Sequence, residues 1–254
     1  MKKLILDIMS MPITVEISSN KQINKSTNIQ IERDIDEVFE YFRYVDEQYS
    51  PFKETSEVGK LNRGEKISQE MTEILRLAEM LKEETKGYFD IKKPNGKIDP
   101  SGIVKGWAIK NAADILRKKG YTKFFVDVAG DAEIVGKNWK WGIRNPFNVK
   151  EIVKVLNLSD VGIATSGTYE RGQHIYNPIT KKAEVTDIVS LTVIGPNVYE
   201  ADKLATPAFA MGKDGINWIE KQKGFEGYMI DREGMATYTS GFPKFVWDSS
   251  LHSE

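Results

Sequence analysis

Four polar segments of the sequence hold residue types that can do chemistry. In Tyr199-Glu200-Ala201-Asp202-Lys203-Leu204-Ala205-Thr206, a carboxylate and a hydroxyl stand four residues apart. On a helix they share one face, and with nearby carbonyls they make an oxygen-only site of the kind that suits Mg²⁺. The plainer account is that Asp202 favours the first helical turn electrostatically. In Asp99-Pro100-Ser101-Gly102-Ile103-Val104-Lys105, a carboxylate, a Gly-containing turn and a lysine open a helix. Free N–H groups at a helix start suit phosphate, and Lys105 adds a point charge for a phosphate or a carboxylate. A capped helix with a surface lysine is the competing account. Gly87-Tyr88-Phe89-Asp90 puts an aromatic pair and a carboxylate at a helix exit, either to grip a planar ring or to close the core. Thr165, Ser166 and Thr168 bunch hydroxyls where a strand ends, and His174 follows. No GxSxG elbow surrounds Ser166, so hydrogen bonding to a ligand suits these hydroxyls better than nucleophilic attack.

The composition narrows the chemistry further. The 254 residues include no cysteine, which removes disulfides, thiolate nucleophiles, zinc–cysteine sites and iron–sulfur clusters. Only two histidines are present, His174 and His252. A histidine-rich metal site or a Ser–His–Asp triad would therefore depend on His174, and any metal is expected to bind through oxygen. With 36 basic and 37 acidic residues the net charge is −1, which argues against a nucleic-acid partner. A hydrophobic fraction of 40% excludes a disordered chain and supports a sizeable core. No apolar stretch approaches the roughly 20 residues of a membrane-spanning helix. The opening MKKLILDIMSMPITVEI carries two early lysines, but Asp7 breaks its short apolar run and no cleavage site follows. It reads as a first strand.

These segments must be positioned by regular elements. Leu4–Ile8, the alternating Ile13, Val15 and Ile17, and residues 28–32 are expected to be extended. Asp34, with Glu37 three residues on, is expected to cap a helix carrying Ile35, Val38, Phe39 and Phe42. Residues 43–65 read as a polar, irregular loop of the length that is often functional. Helices follow at about 69–85, capped by Ser68, and at about 103–119, stopping at Gly120. Strands are expected at 123–128, 132–135, 139–143, 153–157, 161–165, 173–176 and 189–194. Helices at 200–211 and 215–221 precede two or three closing strands within 226–247. Strands cluster without regular βαβ alternation, which argues for an α+β fold. One compact domain is expected over residues 1–248, any internal boundary falling near 120–125, with a frayed tail at 249–254.

The segments, taken together and in order, resemble the ApbE-like flavin transferases (FAD:protein FMN transferases) from about Met9 to Met211. Met9-Ser10-Met11 stands for a Met-Gly-Thr-like element. Tyr49-Ser50-Pro51-Phe52, Ser56-Glu57 and Leu61-Asn62 follow, then Gly87–Asp90, Asp99–Trp107, Ala129-Gly130-Asp131, Thr165–Tyr169, His174–Pro178 and Ala201–Thr206. Ser101, Trp107, Ala129, Asn177 and Lys181 depart from the family pattern.

The resemblance implies an ApbE-like, T-fold-like α+β fold of mixed sheets with packed helices. It implies that FAD is the substrate, that Mg²⁺ contacts its pyrophosphate, and that FMN passes to a Thr or Ser hydroxyl of an acceptor flavoprotein, releasing AMP. Water in place of the acceptor gives a Mg²⁺-dependent FAD pyrophosphatase, and loss of turnover gives a non-catalytic FAD-binding protein. Carried over residue by residue, the metal ligands are Asp202, Thr206 and the carbonyl of Gly102, with Tyr199 adding another carbonyl. Met9, Phe52, Tyr88, Phe89, Asp90, Asp99, Lys105, Thr165, His174 and Ile175 form the expected cofactor-binding set. His174 is expected to orient or deprotonate the attacking hydroxyl, with Asp202 the second candidate for proton traffic. The cytoplasm is the expected location, since the chain lacks the signal and lipid-anchoring cysteine of exported relatives. Export, with the signal outside this sequence, is the alternative.

Overall fold

Short alternating segments pair first with their neighbours in sequence. Lys2–Ile8 (β1) and Met11–Ile17 (β2) form a hairpin, as do Phe124–Val128 (β3) and Asp131–Val135 (β4). A longer hairpin joins Trp139–Asn145 (β5) to Asn148–Leu158 (β6). The remaining strands are Val161–Gly167 (β7), Ile188–Gly195 (β8), Glu226–Asp231 (β9) and Ala236–Tyr238 (β10). In the computed structural model, which describes residues 1–18, 25–168, 177–180 and 187–248, one sheet of eight strands runs β1-β2-β3-β4-β7-β8-β9-β10. The β5–β6 hairpin stands apart as a second, two-stranded sheet.

The α+β class is as expected. Within both sheets every strand pair is antiparallel. The β2–β3 pairing also ties the chain before residues 120–125 to the chain after them.

Three layers result. On one face of the sheet lie Lys25–Tyr49 (α1), Glu57–Asn62 (α2), Gln69–Glu84 (α3), Ser101–Lys118 (α4), Val198–Ala210 (α5) and Asp214–Glu220 (α6). Side chains alternate along each strand. Phe124, Val126 and Val128 therefore face α1 and α4, while Phe125 joins Trp139, Ile143, Leu156 and Phe242 beneath the β5–β6 hairpin. A second helical core gathers Leu191 and Val193 of β8 with Ala205, Ala208 and Phe209 of α5.

Two expectations near the N-terminus fail. Residues 28–32 lie within α1 rather than in an extended segment, and Asp34 is an interior residue of that helix rather than its cap. Buried Ile31, Ile35, Val38, Phe42, Val45 and Tyr49 form a continuous stripe whose burial outweighs the modest helix penalty of β-branched residues. Asp34 instead accepts hydrogen bonds from the Tyr121 hydroxyl (2.6 Å) and Gln30 (3.0 Å). The stripe carries the helix to Tyr49, and Ser56 caps α2 by accepting from the Gly59 N–H at 3.0 Å. Residues 43–65 are therefore largely helical. Ser68 caps α3 as expected. The expected strand at 173–176 and the tail at 249–254 lie outside the described residues.

Candidate functional site

Asp202 and Thr206 stand one turn apart on α5, whose N-cap Asn197 accepts from the Glu200 N–H at 3.0 Å. The helix meets α4 at Gly106. A Cβ at that position would lie 2.7 Å from the Asp202 Cβ and 3.1 Å from the Tyr199 Cα, so only glycine allows the approach. Across it the Gly106 N–H donates to Asp202 Oδ2 at 2.8 Å. In a regular helix that N–H would serve the Gly102 carbonyl alone. The neighbouring Lys105 ammonium pairs with Asp131 at the start of β4 and lies 3.7 Å from Asp202 Oδ1. Asp131 Oδ1 accepts the Thr165 N–H of β7 at 2.8 Å. One residue further, the Ser166 hydroxyl lies 3.4 Å from the Thr206 hydroxyl. Four elements thus deliver Lys105, Asp131, Ser166, Asp202 and Thr206 to one place.

The electrostatics of this cluster favour a further cation. Asp131 and Asp202 are buried and share a single ammonium. Burial pushes the Asp202 carboxyl up to about 6; Lys105 opposes the rise, Asp131 adds to it, and the Gly106 N–H opposes it. The donors are carboxylates and hydroxyls, which fit a hard cation that takes oxygen ligands. Among the described residues no group of three or more His, Cys, Asp or Glu could hold a metal. The donors at hand are the Asp131 and Asp202 carboxylates and the neutral oxygens of Ser166 and Thr206, which fit that chemistry.

A cleft of about 450 Å³ opens beside the start of α4 and is lined by Phe52, Asn62, Lys93, Ile98 and Asp99, among others. The Asn62 side chain fixes one wall, accepting the Ile98 N–H (2.7 Å) and donating to its carbonyl (2.9 Å). Asp99 Oδ1 accepts from the Ser101 hydroxyl (2.6 Å) and N–H (3.1 Å), while Lys93 lies 3.2 Å from Oδ2. Burial raises the Asp99 carboxyl, but these hydrogen bonds and Lys93 outweigh it and hold the group below its ordinary value. Helix α4 joins the two features: Asp99 of the cleft wall accepts from Ser101 at its start, and its second turn presents Lys105.

A family model described as the ApbE family matches residues 9–93 and 91–229. The chain belongs to the ApbE family. It is 28% identical over 172 residues to the FAD:protein FMN transferase of Escherichia coli K12, covering 62% of this chain and 49% of that protein. It thus spans about half the length of the curated relatives it matches. The flavin transferase ApbE from Vibrio cholerae superposes with a TM-score of 0.79 at 22% identity, over 96% of this chain and 98% of that one. The ApbE protein from Thermotoga maritima gives 0.84 at 21% identity, over 97% and 99%. These two likenesses establish the ApbE fold.

The other expected site residues are placed as follows. Met9 occupies the β1–β2 turn with φ 57°, half-buried against the helical core. Phe52 is 94% exposed at the cleft. Tyr88 is half-buried, whereas Phe89 is buried with its ring against Gly102. Asp90 accepts the Lys92 N–H at 2.8 Å and pairs with Lys82 at 2.9 Å. Gly102 lies in the first turn of α4, and Tyr199 in the first turn of α5. The Thr165 hydroxyl turns away from the acidic cluster, to Thr192 at 2.8 Å; only its N–H faces Asp131. His174 and Ile175 lie outside the described residues.

Two members of the cluster, Asp131 and Ser166, are outside the carried-over site set, although Ser166 is one of the hydroxyls expected to bond a ligand. Strand alternation points to Ser166, since it faces opposite to Thr165. Glu133 is a third unforeseen residue. It is buried on β4, pairs with Arg117 of α4, and accepts the Val198 N–H at 2.7 Å, so it holds the start of α5 to the sheet.

Proposed function

We propose that this chain transfers FMN from FAD to a Thr or Ser hydroxyl of an acceptor flavoprotein, releasing AMP, with Mg²⁺ as the metal. The observation that carries the proposal is the buried Asp131–Lys105–Asp202 group, with the Ser166 and Thr206 hydroxyls beside it, in a member of the ApbE family. The curated relatives' name, FAD:protein FMN transferase, supports the reaction class. Asp202, Thr206 and the carbonyls of Gly102 and Tyr199 would hold the ion. When bound, Mg²⁺ would neutralise charge developing on the pyrophosphate.

The chain's own residues supply position and charge. Lys105 is set by two carboxylates to face an anionic group. Phe52, Tyr88 and Met9 offer apolar surface to the flavin, with Phe89 and Asp90 supporting them and Asp99 fixing the cleft wall. The attacking hydroxyl oxygen forms a bond to the FMN phosphorus as the bond to the AMP oxygen breaks. Its proton passes to His174, or to Asp202 as the second candidate.

The test is mass spectrometry after incubation with FAD and Mg²⁺, with and without a peptide bearing an Asp-x-x-Thr-Gly-Ala-type sequence. Covalent flavin on the peptide threonine is expected. Free FMN and AMP with the peptide unmodified would favour the pyrophosphatase, and unchanged FAD would favour a carrier. Asp202→Ala that kept Mg²⁺-dependent turnover would sink the metal assignment.

A further inference from the structure

The β5–β6 hairpin covers the sheet face opposite α5, and its charge differs from the rest of the chain. Residues 137–158 hold five cations (Lys137, Lys140, Arg144, Lys150, Lys154) against one carboxylate, Glu151, for +4 in a chain whose net charge is −1. By contrast, Lys2, Lys53, Lys60, Lys110, Lys119 and Lys213 each pair with a carboxylate. None of the hairpin's four lysines forms an ion pair with a described residue, and Lys140 lies over the Trp247 ring at 3.9 Å instead. The one acid is occupied within the loop, accepting from Asn145 (2.9 Å) and Asn148 (2.7 Å).

The same tip exposes large apolar side chains. Phe147, Val149 and Ile152 are 58%, 51% and 50% exposed. The Phe147 ring lies near Gly234, whose neighbour Met235 is 66% exposed. The tip's own polar groups are turned inward: the Phe147 N–H donates to Asn145 at 3.0 Å, and the two Asn side chains are tied to Glu151. Apolar side chains among unneutralised lysines, on a loop that satisfies its own hydrogen bonds, suit the boundary between water and an anionic bilayer. There the apolar tips enter and the ammonium groups stay at the headgroups.

We propose that the β5–β6 tip docks on an anionic lipid surface. A protein partner fits less well, because protein interfaces are depleted in lysine. Single-stranded nucleic acid would ask for a series of stacking rings, where this tip sets one exposed ring, Phe147, among Val149, Ile152 and Met235. The register Gly167↔Ser190 and Ile188↔Asp231 places the tip's neighbour Gly234 at the sheet end that also carries Ser166. Docking would therefore bring that end of the molecule toward the bilayer.

The test is co-sedimentation of the full chain with vesicles of phosphatidylcholine containing one-third phosphatidylserine, compared with phosphatidylcholine alone. Binding to the anionic vesicles only, weakened by salt, is expected. Removing Lys150 and Lys154 as Lys150→Gln with Lys154→Gln should weaken it about 25-fold, about five-fold per lysine. Phe147→Ser with Val149→Ser should abolish most of it, while Lys110→Gln, which removes a paired lysine, should leave it unchanged. All these sites are at the surface, and circular dichroism checks that each variant folds. No binding, equal binding to neutral vesicles, or binding untouched by either double variant overturns the proposal. So does retention on polyglutamate or a short RNA that survives the Phe147/Val149 change, which would mark a general polyanion surface.

Discussion

Gly106→Ala tests whether the contact between α4 and α5 builds the acidic cluster. At an unobstructed helical position, replacing glycine by alanine stabilises by about 1 kcal/mol. Here the new methyl carbon would lie 2.7 Å from the Asp202 Cβ, 2.9 Å from its Oδ2 and 3.1 Å from the Tyr199 Cα. Two of those atoms are fixed by the α5 backbone, so the helices must separate rather than one side chain rotate. Overpacking of this kind costs about 1–3 kcal/mol. Separation also lengthens the 2.8 Å bond from the Gly106 N–H to Asp202, and a hydrogen bond to a charged group is worth about 1.5–3 kcal/mol. After subtracting the propensity gain, the expected loss is about 1.5–5 kcal/mol, which lowers Tm by about 3–20 °C in a chain of this size. Thermal unfolding measures the first effect, and the Mg²⁺ concentration needed for half-maximal FAD turnover measures the displacement of Asp202. Gly102→Ala is the comparison, since its Cβ would meet only the Phe89 side chain, at 3.1 Å, and its loss should be smaller. A Gly106→Ala protein as stable as wild type, with an unchanged Mg²⁺ requirement, would refute the argument.

Other expectations follow from turns, titration and buried charge. Ala129 holds φ 51° in a two-residue hairpin turn. Ala129→Gly should raise stability by about 0.5–1 kcal/mol in urea titrations, and a loss would contradict the strain. Burial pushes the Asp127 carboxyl up to about 7, with the Gly130 N–H opposing and Asp131 adding to the rise. The folded state therefore binds this proton more tightly than the unfolded state. Stability from this group is gained as pH falls below about 7 and lost as pH rises through that value. Urea midpoints of wild type should rise relative to Asp127→Asn between about pH 8 and 5, and parallel curves would exclude the effect. Glu133→Ala leaves the buried Val198 N–H without its acceptor and Arg117 with Asp114 as its remaining partner, and should cost about 1–3 kcal/mol. Glu133→Gln, which keeps an acceptor for Val198, should cost less, and equal losses would show that this contact does not anchor α5.

Elements whose caps and stripes agree could be read from the chain directly. Helix α3 has Ser68 before a stripe of Met71, Ile74, Ala78 and Leu81, and both signals survive folding. Helix α1 misleads because its two signals conflict. Ile29, Ile31 and Ile35 have strand-like side chains, and Asp34 resembles a cap. The burial of Ile31, Ile35 and Val38 follows helical spacing, which is a tertiary reward that local propensity does not contain. Asp34 is tolerated inside that helix because Tyr121 and Lys119, far along the chain, satisfy its carboxylate. The all-antiparallel order was equally hidden, since pairing β4 with β7 requires the β5–β6 hairpin to leave the sheet and lie across it.

The metal-side cluster divides in the same way. Asp202 and Thr206 share a helix face, and Lys105 falls one turn into the neighbouring helix, so three members follow from spacing within single elements. Asp131 and Ser166 depend on facts between elements. Asp131 matters because β4 presents it toward Lys105, and its companion on the same strand face, Glu133, reaches the start of α5. Thr165 and Ser166 are adjacent hydroxyls of nearly equal chemistry, and only the strand's alternation decides which one meets Thr206. That alternation is a period-two rule, so a shift of β7 by one residue would exchange them. The register Thr165↔Thr192 fixes the choice, because the half-buried Thr165 hydroxyl and the buried Thr192 hydroxyl, 2.8 Å apart, satisfy each other and leave Ser166 to face α5. The selection of a site residue thus rests on a hydrogen bond made on the opposite face of the sheet.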